Sequence, residues 1–261
     1  MPKRWIKTES EQELLREGGR LLGDILRVVM LAAKPGVSTK MLGDLAEEKI
    51  RAVGGEPIFK GYGKQWGAPP FPAALCVSLN EEVVHGIPQE NRIIQSGDMV
   101  KLDIGMRYQG LVTDMARTVL VDSVSEEAQR LRRVVEQSLL AGIATLRSGS
   151  TMDEYAKAVE QVVTREGFQC VRDLVGHGVG HELHEDPQIP NYSGSGLPNF
   201  SFEAGMVVAL EPMINAGTYR VDLARDGWAF VTADKRLSAH WENTVLITET
   251  GSEVLTVQDA F

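Results

Sequence analysis

Cysteine is nearly absent: the 261 residues hold two, Cys76 and Cys170. So few exclude a disulfide framework, and their separation excludes a paired-cysteine zinc knuckle. Both read as core or pocket residues, in keeping with a reducing, cytoplasmic setting. Long apolar runs are lacking as well. The opening MPKRWIKTESEQE has two early positive charges but no apolar stretch behind them, so it does not read as a secretory leader, and no segment approaches the roughly 20 apolar residues of a membrane span. Nor is there a run of Lys and Arg able to follow a phosphate backbone. The 27 basic residues are outnumbered by 36 acidic ones, a formal net charge of −9, which argues against a nucleic-acid ligand. No heptad pattern appears, so a monomer is expected. What is present, 43% hydrophobic and 24% charged residues, suits a folded, water-soluble domain with a large core.

The pattern of elements occurs twice. Thr8, with Glu11 three residues on, reads as a capping box before Leu14, Leu15, Leu21, Leu22, Ile25 and Val28 at helical spacing. Pro35 and Gly36 end that helix, and Ser38 and Thr39 cap a second, reaching about Lys49 and stopping near Gly54 and Gly55. From Ala74 onward come short β-rich runs, LCVSLN, VVHGIP, DMVKLDIG and LVTDMARTVLV, of which 98–121 reads as a hairpin turning around Arg107 to Gly110. Two further helices follow, in SEEAQRLRRVVEQSLLAGIATLR and STMDEYAKAVEQVVTREG. The local sequence rhymes too: PGVSTKM with SGSTMDE, SGDMVKLD with EAGMVVALE, ARTVLV with ENTVLI. The expectation is an α+β fold made of a duplicated helix, helix, hairpin unit around a shared antiparallel sheet. It would be one domain over 1–261, with halves of about 1–122 and 123–261.

Three of the five histidines, His177, His181 and His184, fall within GHGVGHELHEDP. The spacing is not that of the HExxH zinc helix, because the residue after Glu182 that would complete it is missing. Glycines at 176, 178 and 180 place His177 on a strand or tight turn. A second signal is four acids in apolar settings: Asp103 in MVKLDIG, Asp114 in LVTDMARTV, Glu211 in VVALEPMI and Glu242 in AHWENTVLI. A carboxylate inside such a run needs a cation or several donors to stay ionised. Only Arg117 is nearby among arginines, whereas two divalent metals would balance all four, with one histidine as a fifth ligand. Asp103 and Asp114 on the arms of one hairpin can share a cavity, and a related hairpin would supply Glu211 and Glu242. His181 and His240 read as hydrogen-bonded polar residues outside that shell.

The spaced set VVHGIP, KLDIG, DMART, GHGVGHELHEDP, ALEPMI and WENTVLI resembles the type I methionine aminopeptidases of the pita-bread fold, over essentially the whole chain. The resemblance implies removal of the initiator methionine from nascent proteins, favouring a small second residue. Metal ligands would be Asp103, Asp114, His177, Glu211 and Glu242, holding two divalent ions (cobalt, manganese, iron or zinc). Glu211 would carry the proton, His184 would stabilise the oxygen that gains charge, and His85 would bond the scissile amide nitrogen. Cys76 and Trp228 fit the methionine pocket. Phe71 and Leu183 stand where larger or different aromatics are expected, and GYGKQWGAPPFP before them is unusually rich in glycine and proline. Asn80 and Ser238 resemble the side chains of a structural monovalent-cation site. Implied partners are nascent N-termini, with transient ribosome contact, and neither nucleic acid nor membrane.

Two other readings stay open: an Xaa-Pro-type metalloaminopeptidase, and a non-catalytic pita-bread binding module. Against the first, pita-bread prolidases carry a large extra N-terminal domain for which 261 residues leave no room. Against the second, all five ligands and both histidines are retained.

Overall fold

The computed structural model describes residues 5–63 and 69–257; part of the glycine- and proline-rich stretch, 64–68, lies outside the described residues. The first half comprises α1 (Glu9–Ala32), α2 (Thr39–Ala52), β1 (Glu56–Pro57), β2 (Cys76–Leu79), β3 (Glu82–Val84), β4 (Met99–Tyr108) and β5 (Leu111–Leu120). The second comprises α3 (Glu126–Ile143), α4 (Met152–Arg165), β6 (Gln169–Cys170), β7 (Gly176–Gly178), β8 (Glu185–Ile189), β9 (Val207–Leu210), β10 (Met213–Asn215), β11 (Val221–Leu223), β12 (Phe230–Thr232), β13 (Ser238–His240), β14 (Glu242–Ile247) and β15 (Ser252–Val254). This is the expected α+β order. No helix is long and apolar enough to cross a membrane, among the described residues.

Each helix begins where its cap residue dictates. Thr8 and Thr151 form capping boxes with Glu11 and Glu154, and Ser38 and Ser125 accept from the third residue beyond. These bonds use N–H groups that the first turn would otherwise leave unpaired. The β4–β5 turn uses Gln109 (φ 47°) and Gly110 (φ 88°), the two positive φ values of a two-residue hairpin turn.

One antiparallel sheet runs β1-β4-β5-β14-β9-β7-β8, with β2 on β4 and β15 on β14. Strands of both halves therefore lie in one sheet, joined where β5 meets β14. The second-half carboxylates do not sit on a tight hairpin, as the sequence suggests. β9 and β14 pair directly, Asn243 opposite Leu210, but the chain between them makes β10 to β13. No helix is inserted there.

Alternation sorts the side chains. Val100, Leu102, Ile104 and Met106 of β4 pack with Leu22, Ile25, Leu26 and Val29 of α1 and Leu42, Ala46 and Ile50 of α2. Val208 and Leu210 of β9 and Val245 and Ile247 of β14 pack with Leu131, Val135 and Leu139 of α3 and Tyr155, Val159 and Val163 of α4. Each such large side chain taken out of water contributes about 1.5–3 kcal/mol, so these two clusters anchor the helices to one face. The intervening residues must point the other way, and that other face carries the acids.

Candidate metal centre and active site

Register alone assembles the acids. Cys76 faces Asp103, Asp103 faces Ala116, and Ala116 faces Glu242. Asp114 is two residues from Ala116, hence on the same face. His177 faces Ala209, which faces Thr244, two residues from Glu242. Directly opposed residues share a face, so Cys76, Asp103, Asp114, His177 and Glu242 converge. Glu211, just past β9, joins them.

All five expected ligands line one cavity of about 140 Å³, together with His85, His184, Cys76, Phe71, Leu183, Trp228, Phe59 and Tyr62. Sequence reasoning missed Phe59 and Tyr62, whose only signal is an aromatic residue in a glycine-rich stretch. Tyr62 bonds Nδ1 of His184 through its hydroxyl. Phe71 meets Trp228 edge-on at 5.2 Å, and Trp228 Nε1 donates to the Pro69 carbonyl at 3.0 Å. A second cavity of about 380 Å³ opens beside the first; it shares His85, His177, His184 and Glu211 and adds Val84, Leu174, Val175, Gln188 and Met213 among others.

His177 owes its place to glycine. A Cβ on Gly176 would fall 2.6 Å from the Ala209 carbonyl oxygen, and one on Gly178 2.3 Å from that of Asp186. Only bare backbone lets β7 approach both neighbours. Nδ1 of His177 is 2.9 Å from the Gly178 carbonyl oxygen, and Nε2 is 3.2 Å from Oε1 of Glu211. His85 sits at φ 60°, an uncommon backbone state that histidine tolerates better than most side chains.

The charges are frustrated. Burial, with repulsion between the acids, holds Asp103, Asp114 and Glu242 well above their ordinary pKa. Burial also raises Glu211, although His177 opposes it. Burial pulls His177 down, but Glu211, Asp114 and the Gly178 carbonyl outweigh it and leave its pKa raised. His184 drops to about 3 through burial and the neighbouring His177 and His85, and burial lowers His85 to about 4.

The residues fit divalent metal. Oδ1 of Asp103 and Oδ1 of Asp114 are buried with no hydrogen-bond partner among the described residues. Asp114, His177 and Glu242 each offer a ligand atom, all within 4.8 Å of one another. Hard carboxylate oxygens with one imidazole are a donor set for Mn, Fe, Co or Zn. Arg117, on the opposite face of β5, donates to the carbonyl oxygens of Ala116 and Glu242 and lies over Trp241; its charge favours the ionised Glu242 but does not outweigh burial and the neighbouring acids.

Asn80 and Ser238 are joined through the backbone. The Asn80 carbonyl accepts from Nζ of Lys101 at 2.8 Å and from the Ser238 N–H at 3.1 Å. The Ser238 hydroxyl donates to Ile214. The Asn80 side chain itself donates to Asp98 at 2.9 Å and accepts from the Met99 N–H at 3.0 Å. His240 departs from expectation: among the described residues neither ring nitrogen has a hydrogen-bond partner, and Nε2 stands 3.7 Å from Glu211 and 4.0 Å from Glu242. His181 is hydrogen-bonded as expected, to Glu11 at 2.8 Å.

The profile of metallopeptidase family M24 matches residues 13–249. A methionine aminopeptidase of Clostridium acetobutylicum is 41% identical over 252 residues, covering 97% of this chain and 98% of its own. Methionine aminopeptidase 1 of Bacillus subtilis is 42% identical over 252 residues, covering 96% and 98%. The crystal structure of methionine aminopeptidase from Thermotoga maritima matches with a TM-score of 0.91 at 40% identity, over 97% of this chain and 99% of that one. The prolidase from Pyrococcus horikoshii, 21% identical with a TM-score of 0.76, shares the fold over 64% of its own chain. The curled sheet with its four helices is the pita-bread fold, and the chain belongs to metallopeptidase family M24, among its methionine aminopeptidases.

Proposed function

We propose that the protein removes the initiator methionine from nascent polypeptides, preferring a small second residue, as one catalytic domain built of two similar halves. The carrying observation is the junction of two unlike surfaces. Buried acids crowd one wall of the cavity, and Phe59, Phe71, Cys76, Leu183 and Trp228 form an apolar end. A cavity near 150 Å³ admits about one benzene-sized group, which suits a single unbranched apolar side chain. The second cavity, which shares His85, His177, His184 and Glu211 with the first, offers the chain beyond it a way out. A substrate so placed presents its first peptide bond to the acids, which is the geometry of an exopeptidase.

Asp103, Asp114, His177, Glu211 and Glu242 would hold two divalent ions. Bound there, such ions supply Lewis-acid polarisation of the carbonyl and a nucleophile at neutral pH. Glu211 takes the proton of the attacking water on a carboxylate oxygen and returns it to the leaving amine. His177 keeps Nε2 toward the site because Nδ1 faces the Gly178 carbonyl, a partner that fixes the tautomer. His184, neutral by burial, meets the Tyr62 hydroxyl at Nδ1; in the tautomer where that nitrogen accepts, Nε2 carries the proton and donates to the carbonyl oxygen as it gains charge. His85, also neutral, hydrogen-bonds the scissile amide nitrogen.

The test is hydrolysis of Met-Ala-Ser by metal-stripped protein titrated with Mn(II) or Co(II), beside an Xaa-Pro peptide. Free methionine released only with metal supports the reading. Cleavage of the Xaa-Pro peptide alone would move the substrate assignment, and cleavage of neither would favour a binding module.

A further inference from the structure

A second charged cluster, separate from the acids, ties the start of α1 to the histidine-rich segment. Nζ of Lys7, a side chain with no exposure, donates to Oε2 of Glu185 at 2.8 Å. Oε1 of Glu185 accepts from the backbone N–H of His181 at 2.6 Å and of Glu182 at 2.9 Å. The His181 ring closes the circuit: Nε2 bonds Oε1 of Glu11 at 2.8 Å. Oε2 of Glu11 meanwhile accepts from the N–H and hydroxyl of Thr8, at 2.7 and 2.8 Å. One carboxylate therefore both caps α1 and holds His181. Arg107 on the hairpin donates to the His181 carbonyl at 2.9 Å. Gly180, at φ 139°, lets Lys7 through, for a Cβ there would lie 2.3 Å from its Cε.

Lys7, Glu11, His181 and Glu185 do not line the cavity of the acids, although Glu185 borders the second cavity. What they hold is a connection of six residues between β7 and β8, and in it Leu183 and His184 are the two that reach the cavity. A connection containing Gly180 has little intrinsic stiffness. Main-chain bonds to Val207 and Val112 hold its start at Val179 and Gly180, and Tyr62 meets the His184 ring; the side chains that fix it on either side of His184 are His181 before it and Glu185 after it. Charge-assisted bonds of this kind are stronger than neutral ones, and Lys7 and Glu185 are shielded from water.

We propose that His181 is a positioning residue: its bond to Glu11, with the Lys7–Glu185 pair, clamps the 179–184 connection against α1 and holds His184 in register with the acids. This rests on the catalytic reading of His184 given above. Misplacing a reacting group by about 1 Å can cost about 100-fold in rate, so loss of the clamp should appear in turnover before it appears in binding.

The test uses the full-length Mn(II)-loaded enzyme and its Glu11→Leu, His181→Leu, double and His181→Arg variants. Three quantities are read: kcat and KM on Met-Ala-Ser, Mn(II) affinity by calorimetry, and hydrogen exchange of the 179–186 peptide. Each leucine variant is expected to lose about 10- to 100-fold in kcat, with KM and Mn(II) affinity within about twofold. Exchange should quicken in 179–186 and stay unchanged in α3 and α4. The double variant should be no worse than Glu11→Leu alone, since both substitutions break the Glu11–His181 bond and Glu11→Leu already removes the cap at Thr8. His181→Arg should retain kcat within about threefold, because a guanidinium can reach both Glu11 and Glu185. Unchanged exchange in 179–186 would overturn the clamp whatever the activity. Faster exchange with unchanged kcat would overturn its positioning role. A fully active His184→Ala variant would instead sink the catalytic reading, while exchange would still decide whether the clamp exists.

Discussion

Nε2 of His177, on β7, stands 3.2 Å from Oε1 of Glu211, just beyond β9. The contact links the imidazole proposed as a metal ligand to the acid proposed to carry the proton. In Glu211→Gln the side chain keeps its shape and one oxygen but cannot hold that proton. A loss of at least about 100-fold in kcat is expected, the scale of a general base, measured on Met-Ala-Ser with saturating Mn(II). Turnover near that of the unaltered enzyme would remove Glu211 from the proton path.

His85 lines the acid cavity but is not placed among the ligands. His85→Ala should therefore bind Mn(II) as the unaltered protein does and lose at least about 10-fold in kcat. Calorimetry and steady-state kinetics on one preparation separate the two effects. Lost metal with lost activity would make His85 a ligand instead.

Metal should stabilise the fold more strongly as pH rises. In the metal-free protein the folded pKa values of Asp103, Asp114 and Glu242 lie well above ordinary. The folded state thus binds protons that the unfolded chain has released, and stability falls as pH rises from the ordinary carboxylate value toward the raised one. His85, His184 and His240, lowered to about 4, 3 and 3, act oppositely up to their unfolded value of 6.5. Lys101, lowered to about 7 by burial, adds stability above that. These four groups are common to both forms and largely drop out of a difference. Divalent metal replaces the protons on the acids, so the rise in Tm on adding Mn(II) should be larger near about pH 8 than near about pH 6. A rise independent of pH would mean that metal does not bind these carboxylates.

Gly19 lies inside α1, where alanine would gain about 1 kcal/mol of helix propensity. Its Cβ, however, would fall 2.4 Å from the Leu255 carbonyl oxygen and 2.7 Å from the carbonyl carbon. Backbone cannot step aside as a flexible side chain can, and overpacking costs about 1–3 kcal/mol. Gly19→Ala should lower stability in urea unfolding; a stabilised variant would show that α1 can shift away from Leu255.

The helices were legible because their signals are local: Thr8 with Glu11 and Thr151 with Glu154 are complete capping boxes within four residues. The β4–β5 hairpin was legible for the same reason. Asp103, Asp114, Glu211 and Glu242 were visible as acids in apolar runs, since a lone buried carboxylate is costly wherever the chain goes. Phe59 and Tyr62 were not, because an aromatic residue beside glycines reads the same on a pocket wall or a surface loop. Lys101 escaped notice as well, although it stands two residues from Asp103: its bond to the Asn80 carbonyl depends on how β2 and β4 are joined.

The sequence by itself determined the capped helices, the turn at Gln109 and Gly110, and which strand residues would be apolar or acidic, since all of these follow from neighbours a few positions apart. Tertiary structure decided what meets what. Pairing of β5 with β14 and of β7 with β9 brings Glu242 and His177 to the face of Asp103 and Asp114, and the reach of Lys7 and Glu11 sets the segment bearing His184. Those contacts join residues from 32 to 178 positions apart, and only strand register and packing, which no local pattern encodes, can place them together.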